Sequence, residues 1–504
     1  MQKSNQSANK KYVIAVAMVL IVLVAGYFIW NKAKREASPS AGDKATTQSI
    51  AVLPFINKGN EPSQEYFSDG LSDGILNSLA NVKGLKVSAR FSSFQFRGIN
   101  INIKEVGQKL GVSNVLEGSY LLQGDRIQIT AQLFNAEQGS YFWSADYNEN
   151  IDDMFSLQDK IAHAVSKKLA IILPENDMQL PPRIPVAGPA YDLYLQGRAH
   201  WNLRTPPDLK KAINFFKQAI ALEPSFARAY SGIADCYTAL GYGSHLAPKE
   251  SFSKAMEAAT KALQLDTTLA EPHASLGFYK FYYEWDWAAA EQEFRMAIAL
   301  NPNDEIAYDY YGYYLTAMKR YEEAVVILAK AAALDPLSVP IKTDIGFSMY
   351  YSRNYDTAIA RLQSLVQKNP RFMLANLWLG RAYQAKKDFP SALGAYQKAL
   401  EIAVNWPVAL AAIGNAYGVS GDKAAAQKVL DTLYSLKSSR FVTSYGVALV
   451  YVGLGEKDKA FEWLTKAIEE RSHWLVWLRT DPRWDPLRSD IRFAKLVNTV
   501  GLPD

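Results

Sequence analysis

The sequence EIAYDYYGYYLTAMKRYEEAVVILAKAAALDPL, residues 305–337, decides the fold of this chain because its pattern recurs at a fixed interval. The interval is 34 residues, and it separates the members of one glycine series: Gly312, Gly346, Gly380 and Gly414. Two further residue types keep this interval: Ala324, Ala358, Ala392 and Ala426, and Pro302, Pro336 and Pro370. Self-similarity at this period predicts an array of paired helices joined by turns.

These three residue types predict the geometry of one unit. The glycine is expected on a first helix, where the missing side chain lets the paired helix approach closely. The alanine, 12 residues later, is expected on the second helix, facing that contact. The proline, 24 residues after the glycine, lies just past the second helix and prevents it from continuing.

The spacing resembles that of the tetratricopeptide repeat (TPR). Residues 305–337 carry large and small side chains where this family has them: Tyr308, Tyr311, Gly312, Leu315, Ala324, Leu328, Ala331 and Pro336. Further glycines extend the pattern in both directions: Gly197, Gly232, Gly277 and Gly446. The resemblance implies an all-α solenoid of about eight repeats over residues 190–470. Residues 471–504, rich in tryptophan, are expected to cap the open end of the stack.

Composition restricts the classes of function. Hydrophobic residues make up 49% of the chain and charged residues 21%, which is typical of a folded protein. The net charge of +5 is small for 504 residues and gives no reason to expect nucleic-acid binding. The chain has one cysteine, Cys236, which excludes an intrachain disulfide and any CxxC metal or redox site.

The N-terminal residues predict a membrane anchor. Residues 13–30 contain no charge and are long enough to cross a bilayer as one transmembrane helix. A short tail, residues 1–12, precedes this helix, and a flexible tether, residues 31–48, follows it. A cleaved signal peptide is the alternative. Basic residues on both sides balance, so charge does not decide the orientation. We expect the tail in the cytoplasm, the helix in the inner membrane and the folded domains in the periplasm.

Residues 49–173 predict an α/β domain. Alternating and helical hydrophobic periods indicate strands at 50–55, 85–89, 115–122, 126–134 and 141–147, and helices at 66–82, 103–110 and 151–172. After it, residues 174–189 contain five prolines, whose fixed φ favours an extended connector to the repeats.

Several segments of this domain resemble the TolB-like domain that precedes TPR repeats in bacterial proteins. They are SIAVLPF (49–55), YFSDGLSDGIL (66–76), LKVSARFSSFQFRG (85–98), LGVSNVLEGSYLLQGDRIQITAQL (110–133) and WSADYN (143–148) with DMFSLQDKIA (153–162). The resemblance implies a five-stranded mixed sheet with packed helices. In that wider family a winged DNA-binding domain or a cyclase domain often comes first, and here we expect neither.

The sequence offers few groups with recognisable chemistry. The five histidines are scattered, and phosphate-loop, GxSxG and GxGxxG motifs are absent from the sequence. Asp69 and Asp73, one helical turn apart, are candidate oxygen ligands for a divalent cation, or acidic residues that favour a helix N-terminus. A second set, Arg90, Arg97 and Arg126, is either an anion site or a group of solvated strand ends. We expect no enzyme activity, no metal and no cofactor.

Binding is therefore the expected function, and the TPR resemblance implies where it occurs. The inner wall of such a solenoid is built by the first helices, which here contribute Trp201, Tyr237, Phe278, Phe281, Tyr282, Asp309, Tyr313, Phe347, Tyr350, Tyr351, Leu377 and Arg381. Aromatic residues and arginine dominate binding energy at protein interfaces. We expect a protein or peptide partner with apolar or aromatic anchors, and partial exposure of Tyr313, Phe347 and Tyr351. Packing of individual rings against the neighbouring repeat is the alternative.

The sequence thus predicts a membrane-anchored adaptor or scaffold of the bacterial envelope. The alternative is a sensor or regulatory component of a signalling system, whose output domain is on a separate chain.

Overall fold

The computed structural model describes residues 48–59, 65–98, 101–151, 154–169, 186 and 188–503. The predicted anchor at residues 13–30 and nearly all of the tether and the proline-rich connector lie outside these residues. Among the described residues, no helix is both long and apolar enough to cross a membrane. This finding corrects the predicted location of the chain, as a single-pass protein of the inner membrane with periplasmic domains.

A mixed β-sheet forms the N-terminal domain, as predicted. Its six strands within the described residues are β1 (Ser49–Val52), β2 (Ile56–Asn57), β3 (Lys86–Val87), β4 (Asn114–Gln123), β5 (Arg126–Asn135) and β6 (Ser140–Asn150). The order is β3-β1-β4-β5-β6, with β2 beside β4. β1 runs parallel to β3 and β4, whereas β4, β5 and β6 are antiparallel. The predicted hairpin is confirmed, and β2 is the strand that the implied five-stranded sheet lacks.

Within the part of the chain that the structure describes, four helices accompany the sheet: α1 (Glu65–Ala80), α2 (Arg90–Ser93), α3 (Ile103–Leu110) and α4 (Met154–Lys168). α1 buries Leu71, Ile75 and Leu79, which recur at helical spacing, in the core beneath the sheet. Asn102 caps the N-terminus of α3, where its side chain accepts a hydrogen bond from the Glu105 amide, and Gly111, with a φ of 62°, caps the C-terminus.

Residues 188–503 form a helical solenoid. In this part of the described chain, helices follow one another as eight pairs: α5 (Gly188–Leu203) with α6 (Pro206–Leu222), α7 (Ala227–Tyr242) with α8 (Pro248–Leu265), α9 (Glu271–Tyr279) with α10 (Trp287–Leu300), α11 (Glu305–Ala317) with α12 (Tyr321–Leu334), α13 (Val339–Tyr351) with α14 (Tyr355–Lys368), α15 (Met373–Ala385) with α16 (Phe389–Ile402), α17 (Pro407–Ser420) with α18 (Lys423–Leu436), and α19 (Ser444–Leu454) with α20 (Lys457–Glu469). A π-helical turn, Lys280–Glu284, extends α9, and a last helix, α21 (Ile491–Val500), follows two short 3₁₀ helices.

The periodic glycines lie where paired helices touch. A Cβ atom at Gly346 would lie 2.7 Å from Cδ2 of Leu362 on the second helix. At Gly380 the corresponding neighbour is the ring of Tyr396, at 2.5 Å. The side chain that faces each glycine is therefore this larger residue rather than the predicted alanine. A side chain at the glycine position would push the two helices apart.

The turn inside each pair has its own period. Lys319, Arg353 and Lys387 have φ values of 59°, 62° and 65°, and Gly421 and Gly455 continue the series. This left-handed conformation reverses the chain within a few residues and is unfavourable for residues other than glycine. The turns therefore hold Lys319, Arg353 and Lys387 at one edge of the solenoid.

The sheet domain and the solenoid share a single apolar core. Gly70 of α1 faces the side chain of Leu195 on α5, so the sheet domain packs directly on the first repeat. Farther along, Asn303 accepts a hydrogen bond from the Val87 amide at 2.9 Å and donates one to the Ala80 carbonyl at 2.9 Å. The two parts are thus docked, although the prolines between them predict a separating connector.

The helix contacts yield a stability prediction. Gly346→Leu should lower the free energy of unfolding by about 1–3 kcal/mol, because the added side chain overlaps Leu362. Gly394→Leu is the control: no described atom lies within 4 Å of a Cβ there, and leucine favours helix more than glycine does. Thermal and urea unfolding would measure both. An equal loss of stability in the two variants would contradict this helix contact.

Candidate protein-binding groove

Aromatic rings form a continuous wall along the inside of the solenoid. The Tyr242 ring stacks on Tyr313 with 5.7 Å between centroids, and Tyr313 meets Phe347 at 5.3 Å. Phe347 in turn contacts Tyr351 at 4.9 Å and Trp378 at 4.6 Å. We call these five rings the aromatic wall. Three of them were predicted from the repeat positions, whereas Tyr242 and Trp378 were not.

Other predicted wall residues extend this cluster or lie elsewhere. Phe278 and Tyr282 join it through Tyr242. Trp201 and Tyr237 instead belong to the core shared with the sheet domain. The remaining members of the predicted set are buried around the wall: Phe281, Asp309, Tyr350, Leu377 and Arg381.

The prediction of partial exposure is wrong for three of these rings. Tyr313, Phe347 and Tyr351 expose only 4%, 1% and 1% of their surface. The cause is the stretch of residues 472–490, here called the C-terminal segment, which lies against the wall. It was expected to cap the open end of the stack, but it fills the groove instead.

Two tryptophans insert the C-terminal segment into the groove. The Trp477 ring stacks on Tyr351 at 4.4 Å with an interplanar angle of 13°, and its edge meets Phe347 at 4.9 Å. Three residues earlier, the indole nitrogen of Trp474 lies 3.4 Å from the hydroxyl of Ser244. Both side chains lie on the 3₁₀ helix His473–Trp477, whose three-residue turn aligns them on one face.

A buried ion pair holds the next turn of the segment. Asp481 is fully buried and accepts hydrogen bonds from Nη2 of Arg483 at 2.6 Å and from the hydroxyls of Tyr350 and Tyr445, each at 3.2 Å. Burial alone would raise the pKa of Asp481, but the Arg483 guanidinium outweighs it and holds this pKa below its usual range. Outside this pair, Arg353 makes a two-pronged contact with Asp485 at 2.7 and 2.8 Å.

Arg381 is buried without an equivalent pair. Its side chain is 2% exposed and lies over the rings of Trp378, at 4.2 Å, and Trp474, at 5.1 Å. Among the described residues, no hydrogen-bond acceptor reaches its Nε or Nη1 atom. Burial lowers the pKa of His473 to about 3 and keeps its imidazole neutral. The segment therefore fills the groove mainly with apolar contacts and leaves Nε and Nη1 of Arg381 without hydrogen-bond acceptors among the described residues.

Two carboxylates lie beside the aromatic wall, Asp309 on α11 and Asp344 on α13. Burial raises the pKa of Asp309 to about 7. For Asp344, burial and then the charge of Asp309 raise the pKa well above its usual range. Both groups are therefore protonated over much of the acid range, which reduces the cost of burying them.

The other candidate sites are ion-paired or hydrogen-bonded. Asp69 contacts Arg97 and lies 3.0 Å from Arg90, whereas Asp73 lies 3.7 Å from Arg90 and 3.6 Å from Arg198. Arg126 donates to the Asn148 side chain at 2.9 Å. Within the described residues, no group of three or more His, Cys, Asp or Glu side chains has an arrangement suited to a metal ion.

Family comparisons agree with the helical part of this architecture. The model of the tetratricopeptide repeat matches residues 348–407, which include the C-terminal end of α13 and all of α14–α16. The chain contains TPR repeats. A second model, described as the HilA/YgeH-like transcriptional regulator, second domain, matches residues 46–164, the region of the sheet domain.

Curated relatives match parts of this chain. "Putative adenylate cyclase 3" of Rhizobium meliloti (strain 1021) is 32% identical over 190 residues, which are 37% of this chain and 32% of the relative. "Transcriptional regulator HilA" of Salmonella typhimurium is 27% identical over 168 residues, 33% of this chain and 30% of the relative. The chain thus spans about a third of the length of these relatives.

Solved structures with similar helical arrangements include "Human IFIT1 dimer with m7Gppp-AAAA", at 17% identity and a TM-score of 0.44, covering 62% of this chain and 77% of that one. Another is "Functional Characterization of Pseudomonas Aeruginosa pilF", at 21% identity and a TM-score of 0.31, covering 42% and 94% respectively.

Replacing either of the two buried arginines of the groove should change the free energy of unfolding, but in opposite directions. Arg483→Met should cost about 3–5 kcal/mol, because it leaves the Asp481 carboxylate buried without its guanidinium. Arg381→Met should instead stabilise the TPR protein by about 1 kcal/mol, because it removes a buried charge with unmatched donors. Urea unfolding at neutral pH compares them. A loss of similar size at both positions would contradict the difference in pairing.

Asp309 predicts a pH dependence. Its folded pKa of about 7 exceeds the ordinary value of 3.8, so the folded state binds the proton more tightly and stability falls as pH rises through this window. Asp309→Asn removes that loss. The melting temperature of the Asp309→Asn chain minus that of the unchanged chain should therefore rise from pH 4 to pH 7 and then level off. Ser348→Ala, which removes a buried group that does not ionise, is the control, and a pH-independent difference for Asp309→Asn would contradict the assignment.

Proposed function

We propose that this TPR protein is a non-catalytic adaptor that binds another protein through the groove of its solenoid. The observation that carries the proposal is the aromatic wall, against which a peptide segment with two tryptophans is already seated. A surface that binds indole rings of its own chain has the shape and polarity to bind indole rings of a partner protein. TPR repeats commonly serve as scaffolds of this kind, and their inner wall is the usual contact surface.

The composition of the wall supports this proposal. Aromatic rings supply large buried areas at a small cost in conformational entropy, and arginine adds a directional charge. Arg381 lies among these rings with its guanidinium over two of them. Residues that break the rules of stable packing are typical of functional sites, because function rather than stability accounts for them.

A second candidate function is a regulatory component whose output domain is on a separate chain. It is favoured by the match of residues 46–164 to a domain of a transcriptional regulator, and by the relative with a cyclase name. On this hypothesis the sheet domain, for which we keep the TolB-like assignment as a proposal, senses a ligand. Its contacts with the turns at Asn303 and Asp335 would then transmit the change to the repeats.

Site-resolved photo-crosslinking of the full chain tests both candidates. A photoreactive phenylalanine analogue is placed at one of three positions: Lys387 at the groove edge, Val326 on an outer helix, or Phe142 on the sheet domain. Val326 and Phe142 are 67% and 49% exposed. Lys387 occupies the turn one repeat after Arg353, which contacts the C-terminal segment.

The adaptor function predicts reproducible partners captured from position 387 and little capture from position 326. Capture of partners only from position 142 would favour the regulatory candidate. Failure to capture any reproducible partner from all three positions, with the chain expressed in its native cells, would contradict both.

A further inference from the structure

We propose that the C-terminal segment is a replaceable internal ligand of the groove, and that the partner presents a segment of the same chemistry. That chemistry is two tryptophans three residues apart, followed by an acidic residue, to which the partner adds a carboxylate that reaches Arg381. The inference rests on the proposed adaptor function and names the partner's recognition motif. The occupant that displaces residues 472–490 is a different protein rather than a second copy of this chain.

The contacts of the segment are those of a bound peptide. It enters the wall through the side chains of Trp474 and Trp477, and not as another helix pair of the stack. Its contact at the groove edge, between Arg353 and Asp485, is nearly half exposed on both sides. Exposed ion pairs contribute little to stability, so at this end the segment is held by the buried side chains of Trp484 and Leu487 rather than by the ion pair.

The internal segment leaves polar groups of the described groove without hydrogen bonds, and this favours its replacement by a partner segment. Within the described residues, Nε and Nη1 of Arg381 and the hydroxyls of Tyr282 and Tyr351 have no hydrogen-bond partner. A partner segment that brings a carboxylate to Arg381 would gain a charge-assisted hydrogen bond that the internal segment does not make. The same apolar contacts with an added ion pair would favour the partner over the tethered segment.

Tethering explains why the groove is closed in the absence of a partner. A segment joined by a short connection is present at an effective concentration in the millimolar range, so it competes strongly with a free ligand. The apparent affinity of a partner is reduced in proportion to the fraction of open grooves. Weakening the tethered segment should therefore strengthen binding in trans.

The test uses a fluorescein-labelled synthetic peptide of residues 471–490, RSHWLVWLRTDPRWDPLRSD, and the full chain. The Trp477→Ala chain, with a weakened internal segment, should bind this peptide at least about thirtyfold more tightly than the unchanged chain. Trp463→Ala is the matched control, because Trp463 contacts Tyr434 and lies outside the groove. A peptide with Trp477→Ala, or a chain that combines Trp477→Ala with Tyr351→Leu, should lose the binding.

A folded Trp477→Ala chain that binds no peptide would overturn the proposal, since the segment would then be part of the permanent core. Peptide binding that survives Tyr351→Leu would also overturn it, because the site would lie elsewhere. Dimers of the unchanged chain that dissociate when peptide is added would assign the groove to a second copy, against the proposed partner.

Hydrogen exchange of the unchanged chain covers the case in which Trp477→Ala fails to fold. Amides of residues 473–488 should exchange at least about tenfold faster than those of α19, because the segment opens without the solenoid. Equal protection of the two regions would overturn the inference. Failure of these peptide experiments would contradict the recognition motif. Photo-crosslinking could still identify a partner on the solenoid in that case, so the adaptor function is tested separately.

Discussion

An apolar concave wall must be covered, and much of the structure follows from this constraint. Repeating helix pairs, held close by glycines such as Gly346, turn their first helices inward and bring large rings together. Each aromatic ring buries on the order of 150–250 Å², and an uncovered patch of several such rings would be unusual for a monomeric protein. Trp474 and Trp477 supply the cover, and the buried pair of Asp481 with Arg483 fixes its position.

At the other end of the solenoid, the sheet domain covers the apolar surface of the first repeat. Its helix α1 packs on α5, and the two parts bury one core, so neither part is a free-standing module. A second set of contacts reaches farther along the repeats, where the Ser92 hydroxyl binds Asp335 and accepts from the Leu337 amide at 2.8 Å. α13 begins at Val339, directly after this contact, and carries Phe347 and Tyr351 on the groove side. The same helix therefore connects the sheet domain with the groove.

Local patterns predict most of the secondary structure but not this coverage. The glycine and proline intervals depend on contacts within one repeat, and the hairpin of β4 and β5 depends on a two-residue turn, so both are visible over short windows. The contact of Trp477 with Tyr351 joins the C-terminal segment to the fifth helix pair, and no local period encodes it. The partial exposure expected for Tyr313 and Phe347 is wrong because a distant segment covers both rings. For the same reason, the local sequence does not show that Arg90 and Arg97 lie beside Asp69, the candidate cation ligand.

Arg381 is where stability and binding make different demands. Its charge lies over the faces of two indole rings and attracts Asp481 at longer range, which helps to lower the pKa of Asp481. A core selected for stability alone would place a methionine or leucine at such a position, because a buried charge without matched acceptors costs free energy. An arginine becomes favourable when a ligand brings an acid into the same apolar surroundings, where a charge-assisted pair is strong. The closed groove therefore has the polarity of a binding site whose charged contact the internal segment does not supply.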